Sequence, residues 1–149
     1  MLKFCRDAWY KNKDKLEAAI KTDTNLNSCE YSYLVKLIVN YILNLSTEEE
    51  FDADAITIID NGDYQGTVLF MIPRKTYQPN PNDYLLTYCY YGSCSGCDSL
   101  QSIQDYEYGV PTEKQVKDYM ILCKDLVCNI VKPYNYGWQE ENFTEIAEI

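Results

Sequence analysis

Ile56-Thr-Ile-Ile-Asp60, Asn61-Gly62 and then Thr67-Val-Leu-Phe-Met-Ile72 together read as a β-hairpin. Both apolar runs are rich in residues that suit a pleated, half-buried surface. Asn-Gly between them predicts a type I′ turn, whose twist matches that of paired strands. Gly66, just ahead of the second run, is expected to mark a bulge. Pro73 stops that run, since proline cannot donate to a ladder. Arg74 to Asp83, with Pro79, Asn80, Pro81 and Asn82, reads as a loop. Tyr84-Leu-Leu-Thr-Tyr-Cys-Tyr90 follows as a third strand, which makes the centre of the chain an antiparallel three-stranded meander.

Helical patterns lie on both sides. Leu2, Cys5, Trp9, Leu16 and Ile20 recur at helical spacing and predict a first helix over about Leu2 to Lys21. Asn27, with Glu30 three residues on, has capping-box spacing. Leu34, Leu37, Ile38, Tyr41, Ile42 and Leu45 then predict an amphipathic helix ending near Ser46. Beyond the third strand, Asp98 and Gln101 predict a short helix to about Tyr106, broken by Tyr108-Gly-Val-Pro111. Thr112 caps a longer one that carries Val116, Met120, Cys123, Val127 and Ile130 on one face. Pro133 ends it, Tyr134 to Trp138 reads as a turn, and Glu140 to Ile149 as an acidic tail that frays or docks. The expectation is a single α+β domain over 1–149: an N-terminal helical hairpin and C-terminal helices packed on a small antiparallel sheet.

Charge and composition restrict the function. The 149 residues carry a net charge of −10, with Lys and Arg gathered in the first helix. Phosphate backbones repel such a chain, so direct nucleic-acid binding is not expected; the charge serves solubility, with mimicry of nucleic acid towards a basic groove as the sharper alternative. There is no histidine. This excludes Ser-His-Asp and Cys-His catalysis and every histidine-containing metal site. No stretch has the ~20 apolar residues that span a bilayer, and the first residues lack an apolar signal region. A soluble protein of the cytosol is expected, without membrane contact. Fifteen tyrosines, against four phenylalanines, suit a contact surface, because tyrosine joins apolar area to a hydroxyl. An A/T-rich genome would produce the same bias.

The candidate binding surface is acidic: Glu48, Glu49, Glu50, Asp52 and Asp54 on the connector before the hairpin, and Asp60, Asp63 and Tyr64 around its turn. Carboxylate runs of this kind are also simply solvated faces. No phosphate loop, serine elbow or paired acid and base accompanies them, and an enzyme is not expected.

Tyr91-Gly-Ser-Cys-Ser-Gly-Cys-Asp98 carries the other candidate, the thiols Cys94 and Cys97. A Cys-x-x-Cys behind a strand and before a helix suits a redox dithiol. The proline loop of a thioredoxin would follow a further strand and helix, however, whereas Pro111 comes early and opens a helix. Asp98 would raise the neighbouring thiol. A closed zinc site needs four thiolates here, and Cys123 and Cys128 lie about 140° apart around one helix. Cys89 and Asp98 are the further zinc ligands in reach. The plainer role is a tight strand-to-helix turn built of small residues, with glycine free to take positive φ. No cofactor is expected on that reading, and zinc on the alternative.

Several segments occur together: Trp9-Tyr-Lys-Asn-Lys-Asp-Lys-Leu16, Tyr33-Leu-Val-Lys-Leu37, Asp63-Tyr-Gln-Gly66, Thr76-Tyr-Gln-Pro79, Tyr91-Gly-Ser-Cys-Ser-Gly-Cys-Asp98, Val116-Lys-Asp-Tyr-Met120 and Tyr136-Gly-Trp138. As a set they resemble a family of small acidic proteins of bacteriophages and prophages of low-GC bacteria. The resemblance spans nearly the whole chain and carries no functional residues with it. It implies a phage-encoded binding protein that inhibits a host or defence protein, with an anti-CRISPR or similar anti-defence role as its sharpest form. A zinc- or dithiol-dependent module and a phage structural or assembly protein are the alternatives.

Overall fold

The computed structural model describes residues 1–46, 50–104 and 109–133. The expectations for Glu48, Glu49, Tyr106, Tyr108, the Tyr134–Trp138 turn and the acidic tail lie outside those residues.

The order is α1 (Lys3–Lys21), α2 (Tyr31–Ile38), β1 (Thr57–Asp60), β2 (Gly66–Pro73), β3 (Tyr84–Tyr91), α3 (Ser99–Ile103) and α4 (Glu113–Cys128). The strands form one antiparallel sheet in the order β1-β2-β3. It is the expected α+β architecture, with α4 packed against α1, α2, α3 and β3. Val68, Phe70 and Ile72 of β2 alternate inward with Leu85, Thr87 and Cys89 of β3, as a period of two requires. Thr87 is satisfied there by donating to Leu126 O at 2.6 Å. Val131 makes an antiparallel bridge to Leu86. Among the described residues no strand pairs with the far edge of β1.

The periodicity of α1 holds throughout, and Leu2, Cys5, Trp9, Leu16 and Ile20 are all buried. Helix α2 departs from expectation because Val39–Leu43 forms a π-helical turn. The wider turn shifts the angular phase, so Val39, Ile42 and Leu43 face inward while Tyr41 and Leu45 are exposed. Asn12 of α1, 0 % exposed, donates to Ile42 O at 3.0 Å and to Ser46 Oγ. It ties the two helices together across the π turn.

Three local expectations are corrected. The N-cap of α2 is Glu30, without a side-chain cap, not Asn27. Asn27 sits in a 3₁₀ turn (Leu26–Ser28), where its Oδ1 accepts from Tyr119 and Gln115 of α4. Asn61-Gly62 makes no type I′ turn: β1 and β2 are joined by five residues, and neither residue has positive φ. Asn61 instead accepts from Thr67 N through its side chain at 3.0 Å, while Gly62 N donates to Asp60. A Cβ on Gly62 would lie 2.2 Å from Gln65 O, so the glycine serves close approach. Gly66 pairs in regular register with Tyr91 and forms no bulge.

Candidate functional site

The acidic residues fall into two groups at opposite ends of β1. Glu50, Asp52 and Asp54 precede the strand on a segment anchored twice. Asn44 donates to Phe51 O and accepts from Phe51 N at 2.9 and 2.8 Å, and Asp52 N donates to Pro73 O. This connector is not a plain solvated run. Phe51 and Ala53 alternate into the core, which turns Glu50 and Asp54 outward. Glu50 is 3.3 Å from Lys75 Nζ. Asp60, Asp63 and Tyr64 are exposed at the other end. Asp60 accepts from the Tyr91 hydroxyl and from Gly62 N, which hold its carboxyl below the usual range in that order of importance. Five residues, Ala55 to Ile59, lie between the two groups, and the last three of them are extended in β1. The surface is therefore an edge strand bracketed by carboxylates, not one acidic patch.

Between the groups, Ile58 and Ile59 are 51 % and 47 % exposed, on opposite faces of the strand. Ile59 continues an outer sheet face with Leu69 and Tyr88. Ile58 overhangs a cleft of about 340 Å³ between the sheet, α2 and α3. Glu30, Asp60 and Asp98 line it, and among the described residues no Lys or Arg does. The cleft was not apparent in the sequence, because its walls come from segments far apart in the chain.

Asp98 closes the cleft and joins three elements. It is 5 % exposed, and its carboxylate accepts from Tyr31 Oη at 3.0 Å, Gly92 N at 2.9 Å and Gln101 N at 3.0 Å. The Gln101 bond is the expected N-cap of α3. The Gln101 side chain turns instead to Gly92 O, so the box is half formed. Tyr31 in turn accepts from Leu100 N at 3.1 Å, and burial foremost pushes its hydroxyl upward.

Cys94 and Cys97 lie in the turn from β3 to α3, both exposed. Cys97 N donates to Cys94 O at 3.1 Å, so the thiols occupy the first and last positions of a β-turn. Their sulfurs are 2.9 Å apart. The expectation that Asp98 raises the neighbouring thiol is overturned. Asp98 faces the interior, and Cys97 is lowered first by the Cys94 thiol, then by the Cys94 backbone N–H. The tight turn is present, but its glycine works by space. A Cβ on Gly92 would meet Cys97 O at 2.4 Å and Cys97 Sγ at 2.7 Å, and Gly92 does not have positive φ. As zinc ligands the pair is incomplete, since among the described residues no three His, Cys, Asp or Glu side chains gather for a metal ion. Cys89 is buried in the sheet and Cys123 in α4, and burial pushes both thiols up to about 12.

Among the described residues no helix is long and apolar enough to cross a membrane. Comparison with protein-family models, with curated proteins and with solved structures returned no significant match.

Proposed function

We propose that this chain is a phage-encoded binding protein that inhibits a host or defence protein, with the β1 edge as its contact surface. One observation carries the reading. A short edge strand presents two half-exposed isoleucines, has carboxylates at both ends, and overhangs a cleft whose charged lining is acidic. An unpaired edge offers its outward N–H and C=O groups to an extended segment, and side-chain pockets beside it supply specificity. The partner that fits is basic: Lys or Arg entering the cleft meets Glu30 and Asp60, while Ile58 and Ile59 supply apolar contact. Nucleic-acid-binding effectors of defence systems, anti-CRISPR targets among them, have surfaces of that charge. The resemblance to phage proteins supports the same context. The protein then acts in the host cytosol, without direct contact to nucleic acid or membrane.

Inhibition is tested by expressing the chain in a host whose defence system restricts a phage. Wild type should restore plaque formation, and Ile58→Lys and Asp60→Lys should lose at least tenfold of it. Lys117→Gln on the exposed side of α4 is the control and should match wild type. Equal restoration by Ile58→Lys, Asp60→Lys and wild type would remove the β1 edge as the contact surface.

A further inference from the structure

We propose that Cys94 and Cys97 form a reactive dithiol site that is oxidised by low-molecular-weight disulfides, of which glutathione disulfide is the type. The geometry is local and complete. The Cys97 N–H···O=C Cys94 bond of the turn holds the first and last residues together, and the sulfurs stand 2.9 Å apart and unbridged. A disulfide needs about 2.05 Å between sulfurs, so closure requires a movement of under about 1 Å. Cys94 N–H points at Cys97 Sγ from 3.3 Å, and Ser93 Oγ lies 4.0 Å from it. This arrangement favours the thiolate at Cys97, in line with the direction of its shift.

The roles follow from that asymmetry. The Cys97 thiolate attacks one sulfur of the small disulfide, forms a mixed disulfide and expels one thiolate, which takes up a proton. The Cys94 thiol gives its proton to solvent and attacks Cys97 Sγ. The Cys94–Cys97 bond forms, and the second small thiolate leaves and is protonated. The protein loses two electrons and two protons, and the disulfide becomes two thiols. The other five cysteines are shielded: Cys5, Cys89 and Cys123 are buried, and Cys29 and Cys128 half-buried. The site needs no thioredoxin-like proline loop, because Cys94 itself resolves the adduct.

The test uses the folded full chain, incubated with glutathione disulfide, quenched with an alkylating agent and mapped by peptide mass spectrometry. The expected product is a Cys94–Cys97 disulfide, with the other five cysteines alkylated only after denaturation. Cys94→Ser should stall as a glutathione adduct on Cys97. That adduct should form at least tenfold faster than the adduct on Cys94 in Cys97→Ser. Cys94 and Cys97 recovered as thiols in wild type, under conditions that oxidise free dithiothreitol, would overturn the proposal. Adducts spread evenly over all seven cysteines, or equal rates in the two variants, would overturn it as well.

Discussion

Asp98→Asn isolates what a buried carboxylate does here, because it preserves shape and changes one acceptor into a donor. Asp98 Oδ1 accepts from Tyr31 Oη and Gln101 N, while Oδ2 accepts from Gly92 N. An asparagine that keeps Oδ1 for the first pair points its amide N–H₂ at the Gly92 N–H. Turned the other way, it opposes Tyr31 and Gln101. Either way a buried donor is left unpaired, at about 1–3 kcal/mol. The bonds that remain become neutral, which costs roughly 1 kcal/mol more, since bonds to charged groups are about twice as strong. At 5 % exposure the side chain leaves little room for water to replace the lost partner. The expected loss is about 3 kcal/mol, measured as a shift in the urea midpoint by circular dichroism at unchanged slope. Tyr31→Phe should cost about 2 kcal/mol, because it removes a donor to Asp98 and the acceptor of Leu100 N. The double variant should fall short of the sum by about 1 kcal/mol or more. Asp98→Asn within about 0.5 kcal/mol of wild type would refute the reasoning.

Gly92→Ala should destabilise by about 1–3 kcal/mol through the clash with Cys97, whereas Gly96→Ala, with its nearest neighbour at 3.9 Å, should be tolerated; thermal melts compare the two. Thr112→Ala should cost about 1 kcal/mol in urea unfolding, because Thr112 and Gln115 form a reciprocal capping box at the start of α4. Stability should also fall as pH rises from about 9 towards 12. Thiols of the unfolded chain ionise near 9.0, while burial holds Cys29, Cys89 and Cys123 protonated up to about 12 in the fold. Raised folded values of this kind contribute stability that is complete below the unfolded value and lost as pH climbs through the folded one. Urea midpoints should decline over that window, with a shallower slope in Cys123→Ala.

What could be read from the chain was whatever one segment dictates by itself. The apolar spacing of α1, the alternation of β2 and β3 and the Thr112 cap depend on neighbours a few residues away, and all are present. The errors lie where distant groups compete. Asn27 has cap spacing, but Tyr119 and Gln115 of α4 offer its side chain a buried site instead. Asn61-Gly62 has the composition of a two-residue turn, yet Asn61 bonds to Thr67 and spreads the connection over five residues. Tyr41 and Leu45 fit a regular helix and are exposed because the π turn breaks its phase. At the candidate sites, the thiol pair was visible as a motif, but the orientation of Asp98 was not, since it depends on Tyr31, 67 residues earlier. Phe51 and Ala53 did show an alternation within the acidic connector, a signal outweighed there by charge.

Amide hydrogen exchange on the chain bound to the defence protein whose restriction it relieves tests most directly whether the β1 edge is the contact. Protection gained on binding should centre on residues 57–64 and extend to 50–54, because an added strand would hydrogen-bond the outward backbone groups of β1. Protection confined to α4 or α1, with exchange in 57–64 unchanged, would contradict the account.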